Sequence, residues 1–352
     1  MPAPIKFYFD FVSAYSYVAM NRVDTLGARW GREVEWHCVP LPEILAHHGV
    51  TSPRDQPAKF AHNSRDFPRL CEINGLPVSF PPEVPPYGAT LHRLVFWRLN
   101  RKDPALAKDF ARAVDYRYFG TGKEVRTAQQ LARACKARGV PLAIKEIKEA
   151  ADDERARKDL RNAYRRALKD GMFGAPFMVL DGETFWGADR LEHVEYRLEQ
   201  AIKVPRGFEA FQFTSPFTTR NGPLFVKCGK AKAVFGFRAD HRHLNPRDVV
   251  HGGWMTSFVD VAMAQSAMYA LGLVGLTPTI HLEADFLAPI CPGQWVECDA
   301  RLAKSTRNMN FVEGTVLADG EPVLRCSAIY RKPRQVKPRV GTIISPTDPV
   351  YG

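Results

Sequence analysis

The chain has only seven cysteines, at positions 38, 71, 135, 228, 291, 298 and 326, and no two of them form a Cys-x-x-Cys pair. So odd and scattered a set argues against a disulfide scaffold, a structural zinc site and dithiol exchange, and points to a reducing, cytoplasmic setting. Low-complexity sequence is also missing: 25 glycines and 27 prolines among 352 residues fit rigid loops in a globular chain. A signal peptide is not indicated either, because Lys6 is the only basic residue ahead of the first apolar run and Asp10 interrupts that run. The longest apolar stretch, Trp254 to Leu276, contains Asp260, Gln265 and two glycines. A charge at the bilayer centre costs at least about 2.5 kcal/mol, so this stretch is expected to be a buried helix and no membrane partner is expected.

What is plentiful is positive charge, with 49 Lys+Arg against 38 Asp+Glu and a net charge of +11. The excess is +6 over residues 1–203 and +5 over 204–352, too evenly spread for a nucleic-acid arm. Small-molecule substrates are the expected partners, with no nucleic acid. One local cluster, Arg331, Lys332, Arg334, Lys337 and Arg339, reads as a solvated tail. His47-His48 and the spaced pair His241 and His243 lack a third ligand and read as surface residues, so no metal is expected.

At about 150 residues per domain the length predicts two domains. Ile5 to Phe11 reads as a strand, Tyr15 to Trp30 as a helix and Val34 to Val39 as a strand, the opening of an α/β domain. From 53 to about 170 the pattern turns helical and charged, with segments at Leu91 to Leu99, Leu106 to Tyr118, Ala128 to Arg138 and Leu142 to Lys169. Gly174-Ala175-Pro176 leads into a strand at Phe177 to Leu180, an Asp181-Gly182 turn, a return strand at Thr184 to Trp186 and a helix from Asp189 to Ile202. That order predicts an α/β thioredoxin-like domain with a helical insertion over residues 1–203. Residues 204–215 read as a linker. Residues 216–338 carry strands at Leu224 to Cys228 and Ala233 to Arg238, a helix from about Trp254, and strands at 279–286, 295–303, 310–317 and 323–330. This predicts an α+β domain whose sheet wraps round one helix, and 339–352 reads as a C-terminal tail.

Two serines, Ser13 and Ser16, stand where the first helix begins. A serine there caps an orphan N–H, and the same electropositive helix start suits a thiolate. A proline that opens a strand in a thioredoxin-like fold is typically cis and exposes the preceding backbone to a peptide ligand, so Ser13 and Pro176 are expected to face each other. With Phe-Asp-Phe-Val-Ser-x-x-Ser at 9–16, Pro57-Ala58-Lys59 with Arg65-Asp66, Gly75-Leu76-Pro77, Phe173-Gly174-Ala175-Pro176 and Trp186-Gly187-Ala188-Asp189-Arg190, residues 4–203 resemble the glutathione-dependent 2-hydroxychromene-2-carboxylate isomerase family. That family is similar to the kappa-class glutathione transferases and has a DsbA-like fold.

The resemblance implies that Ser13 hydrogen-bonds the glutathione sulfur, that Lys59 lies near carboxylates of glutathione and substrate, that Ala175 and Pro176 clamp the cysteinyl part, and that Asp189 holds the γ-glutamyl end. Two positions depart from the family pattern. Ala14 replaces the usual proline after the first serine, and Asn63 lies where an aromatic residue often follows the Pro-Ala-Lys segment.

In the second half, Asn245, His251-Gly252-Gly253 and Asp260 bracket the start of the apolar helix. Glycines there admit a substrate to the backbone, the helix start offers N–H groups to a carbonyl oxygen, and an aspartate in an apolar run needs a cleft or a partner chain. Residues 216–332 thereby resemble hotdog-fold acyl-CoA thioesterases of the phenylacetyl-CoA type. The resemblance implies pairing through the hotdog domain as a homodimer or homotetramer, Gly252 polarising the thioester carbonyl, Asp260 as nucleophile or general base, Asn245 positioning water or the carbonyl, and Thr279 assisting Asp260. His251 and Gly253 would line the substrate, His251 chiefly by fixing the loop. The reading is a cytoplasmic enzyme of aromatic-compound breakdown that uses glutathione in one domain and hydrolyses an acyl-CoA in the other. The alternative is a kappa-like glutathione transferase whose hotdog domain binds acyl-CoA or dimerises without catalysis.

Overall fold

The structure, a computed structural model, describes residues 3–52, 55–79, 89–211, 215–333 and 337–338. The chain divides into two compact units, Met1–Leu198 and Glu199–Gly352.

The first unit opens with β1 (Ile5–Phe9), α1 (Ala14–Met20), α2 (Val23–Arg29) and β2 (Val34–Cys38). Helices α3 (Leu41–His47), α4 (Pro57–Ile73), α5 (Thr90–Asn100), α6 (Pro104–Asp115), α7 (Ala128–Ala137), α8 (Ile144–Ala150) and α9 (Glu154–Lys169) follow, then β3 (Phe177–Leu180), β4 (Glu183–Trp186) and α10 (Leu191–Gln200). The sheet order is β2-β1-β3-β4, with β1 parallel to β2 and antiparallel to β3. Ile5, Phe7, Tyr8 and Phe9 on the central β1 are fully buried, which explains an apolar run without alternation: both sheet faces are covered. The β3–β4 turn places Asp181 at φ 50° and Gly182 at φ 89°, the left-handed pair that a two-residue hairpin requires.

Two expected helices are each broken in two. The 15–30 segment stops at Asn21, whose side-chain amide donates to the Tyr17 carbonyl at 2.7 Å and ends the helical ladder. The 142–169 segment restarts at Asp153, whose carboxylate caps α9 by accepting the N–H groups of Arg155 (2.9 Å) and Ala156 (3.0 Å).

The second unit contains β5 (Glu209–Phe211), α11 (Pro216–Asn221), β6 (Leu224–Cys228), β7 (Ala233–Arg238), α12 (Gly252–Ala270), β8 (Leu273–Val274), β9 (Thr279–Phe286), β10 (Trp295–Ser305), β11 (Met309–Ala318), β12 (Glu321–Arg331) and β13 (Lys337–Pro338). Seven strands pair antiparallel in the order β5-β6-β7-β10-β11-β12-β9. Phe258, Ala262, Met263 and Ala267 of α12 are buried with Phe235, Phe237, Cys298, Val316 and Tyr330 of the sheet, so this helix is the centre of the core. Among the described residues no helix is long and apolar enough to cross a membrane.

Three expectations need correction here. The 204–215 segment is more than a linker, since Glu209–Phe211 forms the edge strand β5 against Leu224–Val226. His243 is not a surface residue. It is buried, its Nδ1 accepts the Asp240 N–H at 3.0 Å, its Nε2 lies 2.7 Å from the Asn221 carbonyl, and its ring stacks on Trp254. The basic segment does not begin as a solvated tail, because Arg331 ends β12, the Lys332 N–H donates to the Asn308 carbonyl at 2.8 Å, and 337–338 pair with β8. Arg334, Arg339 and the 339–352 tail lie outside the described residues, as do 53–54 and 80–88 of the insertion.

Candidate functional site

The first site is built on the turn between β1 and α1. Asp10, fully buried, receives Arg93 through Nε (2.9 Å) and Nη2 (2.8 Å) and also accepts the Leu41 N–H at 2.9 Å. Its backbone carbonyl accepts the Ser13 N–H at 3.0 Å. A bidentate pair out of water is a rigid anchor, and here it fixes the turn that presents Ser13.

Ser13 is the N-cap of α1, and its Oγ accepts the Ser16 N–H at 3.2 Å. The same hydroxyl donates to the Ala175 carbonyl at 3.0 Å. The Ala175–Pro176 peptide bond is cis, and the Pro176 carbonyl accepts the Gly187 N–H at 3.0 Å. Residues 162 positions apart in the chain thus meet at a helix start, where partial positive charge and backbone N–H groups collect. Ser16 is fully buried behind this point and does not reach the surface.

Tyr15 was not singled out in the sequence as a site residue, although it lies between the two serines. Its hydroxyl donates to Asp66 at 2.8 Å, with Asn63 Oδ1 3.3 Å away. Burial, then Asp66 and then Asp189, hold the Tyr15 phenol well above its ordinary value, so it stays a neutral donor. Asn63, where the family pattern often has an aromatic, is therefore part of the Tyr15 environment.

Asp189 occupies the short turn Ala188–Arg190, is exposed, and lies 3.5 Å from its neighbour Arg190; its field reaches Tyr15. Lys59 is exposed on the first turn of α4 and pairs with no carboxylate among the described residues. The structure joins Ser13 to Ala175, the residue before Pro176, by a hydrogen bond, places Asp189 where its charge acts on the Tyr15 phenol, and leaves Lys59 exposed on α4.

The second site lies at α12. His251 is the N-cap, its Nδ1 accepting the Gly253 N–H at 2.8 Å, so the ring fixes the helix start. Gly252 follows as the first helical residue and borders an apolar cavity of about 330 Å³ that Val250, Met255, Phe286, Val323 and Leu324 help to line. Asn245 is turned to local use: its Oδ1 accepts the Arg247 N–H at 2.8 Å and shapes the loop in which Asp248 has φ 56°.

Asp260 is half-buried two turns along α12. The Thr279 hydroxyl donates to its Oδ1 at 2.7 Å, and the Tyr330 hydroxyl donates to its backbone carbonyl at 2.9 Å. Eight residues at about 1.5 Å each separate Gly252 from Asp260 by about 12 Å along the helix axis. Within one chain the two cannot act on the same carbonyl group. No group of three or more potential metal ligands occurs among the described residues.

A family model described as a DsbA-like thioredoxin domain matches residues 4–199, and one described as the thioesterase superfamily matches residues 248–324. The chain is similar to a 2-hydroxychromene-2-carboxylate isomerase of Sphingobium xenophagum, 30% identical over 197 residues that cover 55% of this chain and 97% of the relative. It is 25% identical to glutathione S-transferase kappa 2 of Caenorhabditis elegans over 57% of this chain and 94% of that protein. A candidate esterase of Pseudomonas aeruginosa is 25% identical over 133 residues, 38% of this chain and 99% of the relative. The chain therefore belongs to the DsbA-like thioredoxin family, and the same polypeptide carries a hotdog domain of the thioesterase superfamily.

Proposed function

We propose that the first unit is a glutathione-dependent isomerase of the 2-hydroxychromene-2-carboxylate type and that the second hydrolyses an acyl-CoA thioester, in the breakdown of aromatic compounds in the cytoplasm. The observation that carries the first half is the 3.0 Å hydrogen bond from Ser13 to Ala175 beside cis Pro176 at the start of α1. The residues fit glutathione chemically. Ser13 offers a hydroxyl donor to a sulfur, Ala175 a backbone for the cysteinyl part, Asp189 an exposed carboxylate for the γ-glutamyl ammonium, and Lys59 an uncompensated cation for a carboxylate.

When bound, glutathione supplies a thiolate that adds reversibly to a conjugated substrate and permits bond rotation before it leaves. Ser13 turns its donor from the Ala175 carbonyl toward that sulfur, and the α1 dipole favours the anion over the thiol. The Asp10–Arg93 pair keeps the turn from relaxing while the charge changes. Lys59 holds the substrate carboxylate in place by charge.

In the second unit, Thr279 orients Asp260 through one oxygen and leaves the other free to attack or to take a proton from water. The 12 Å offset along α12 favours a site shared by two chains, with Asp260 of one copy facing the Gly252 N–H of the other, in a homodimer or homotetramer. The helix-start N–H then polarises the thioester carbonyl. The test is full-length protein given glutathione with 2-hydroxychromene-2-carboxylate and, separately, an aryl acyl-CoA, as wild type, Ser13→Ala and Asp260→Ala. Each substitution is expected to abolish or strongly reduce one activity and spare the other. Wild-type protein inactive on both substrates would refute the reading.

The similarity to a kappa-class transferase favours a second reading, conjugation of glutathione to other electrophiles with a hotdog domain that only binds or dimerises. A panel of electrophiles scored for conjugate against isomer separates the two.

A further inference from the structure

Along β12 the residues Leu324, Cys326, Ala328 and Tyr330 alternate onto the face of the sheet that meets α12, and all four are buried. The first three pair on the edge strand β9 with Phe286, Ala284 and Leu282. Unbroken pairing would set Ile280 opposite Tyr330 and turn Thr279 to the outer face, because directly paired residues share a face. The register shifts at that point instead. Ile329 pairs with His281 and Tyr330 pairs with Thr279, so Ile280 is the extra residue of a bulge. Ile280 is 54% exposed, and Thr279 takes the inward place beside Tyr330.

Two neighbours across the ladder thereby hold one residue at two points. The Thr279 hydroxyl donates to Asp260 Oδ1 at 2.7 Å, and the Tyr330 hydroxyl donates to the Asp260 backbone carbonyl at 2.9 Å. In an α-helix that carbonyl already accepts the N–H four residues on, and its second lone pair is the one left for the phenol. The helix itself does not need the bond from Tyr330. What the bond does is tie α12 to the sheet at the turn that carries the carboxylate. Thr279 reaches Oδ1 only while residue 260 keeps its height and rotation, since a hydroxyl bond is lost within a few tenths of an ångström beyond about 3 Å. Tyr330 is itself fixed, fully buried between β9 and β11, where its partner Asn310 is fully buried as well. Burial, and after it the charge of Asp260, hold the Tyr330 phenol well above its ordinary value, so the hydroxyl stays a donor.

We propose that Tyr330 is a positioning residue for Asp260: by holding the main chain of α12 it sets where the carboxylate lies, so that Thr279 grips one oxygen and the other faces the thioester. The role in turnover rests on the hydrolase reading above. The test uses the full-length protein as wild type, Tyr330→Phe, Thr279→Val, the double variant and Val316→Ala. Val316 is a buried core residue of β11, six positions along the strand from Asn310, and serves as the control for lost stability alone. Tm is measured for each, with kcat and KM on one aryl acyl-CoA, and crystal structures are determined for wild type and Tyr330→Phe.

Tyr330→Phe is expected to melt a few degrees lower, to lose about tenfold in kcat with KM within twofold, and to lose the bond between Thr279 and Asp260 in the crystal. Val316→Ala is expected to lower Tm at least as far and to keep its kcat, a split that a purely structural role of Tyr330 would not produce. Because Thr279 and Tyr330 act through the same residue, the double variant should fall well short of the roughly hundredfold product of the two single losses. A Tyr330→Phe protein that keeps its kcat overturns the proposal, and so does one in which the bond between Thr279 and Asp260 survives. Should wild type hydrolyse no thioester while that bond is lost in Tyr330→Phe, the positioning of Asp260 stands and the hydrolase reading falls.

Discussion

Replacing Ser13 by alanine removes one oxygen with two separate duties. As a cap, Oγ satisfies the Ser16 N–H at 3.2 Å, and such a cap is worth about 1 kcal/mol. As a donor, it serves the Ala175 carbonyl at 3.0 Å, a neutral hydrogen bond worth about 1 kcal/mol more. The sum of about 2 kcal/mol corresponds to a fall in Tm of roughly 4–8 °C for a unit of this size. The protein should still fold, because the Asp10–Arg93 pair that fixes the turn is untouched.

The effect on turnover is larger, because the proposed acceptor is then an anion. A hydrogen bond to a charged group contributes about 1.5–3 kcal/mol, so kcat/KM with glutathione should fall roughly 10- to 150-fold. Ser13→Thr retains a hydroxyl and should keep most of the activity. Calorimetric melting with steady-state isomerisation, measured well below the variant's Tm, separates the two effects. Activity of Ser13→Ala within twofold of wild type would refute the role given to this hydroxyl.

Further outcomes follow from particular contacts. Burial, then the charges of Arg166 and Lys6, push His37 down to about 3, so it is neutral in the folded state while the unfolded chain binds a proton near pH 6.5. Its contribution is thus complete above pH 6.5 and is lost as pH falls toward 3, at about 1.4 kcal/mol per pH unit; denaturant unfolding should lose that slope in His37→Phe. Gly252→Ala places a methyl 3.4 Å from the Phe286 ring, an ordinary contact, so Tm should move by only a few degrees. Thioester hydrolysis should nonetheless drop, through obstruction of the approach to the backbone N–H, and unchanged hydrolysis would remove Gly252 from the site. Thr279→Val deletes the 2.7 Å bond to Asp260 and should lower kcat by about tenfold with KM little changed.

Much of this was legible because the signals are local. A serine before a helical period, a proline opening a strand and a strict Asp-Gly turn each fix their own backbone, and the strand and helix order follows from period alone. The seven-stranded antiparallel sheet was largely readable for the same reason, its inward residues alternating along β10, β11 and β12. The break at Asn21 was not legible, since it depends on one side chain competing for the Tyr17 carbonyl. Tyr15 and Asp66 are 51 residues apart, and Asp10 and Arg93 are 83 apart, so no spacing rule connects them. His243 looked like a surface residue because the partners of its two ring nitrogens, Asp240 and Asn221, become visible only once the chain is folded. β5 escaped notice as well: three residues carry too little pattern to stand out from a linker.

The most direct measurement is the thiol pKa in Ser13→Cys, read from the ultraviolet difference spectrum against wild type as pH is raised. Burial pushes Cys71 up to about 11 and Cys135 up to about 12, so these native thiols stay silent through neutral pH. If the start of α1 stabilises an anion at position 13, the introduced thiol titrates well below its ordinary value of about 8.5, in the range of roughly 4–7 found at electropositive helix starts. A value at or above 8.5 would mean that this helix start does not favour a thiolate, and the glutathione mechanism built on it would fail.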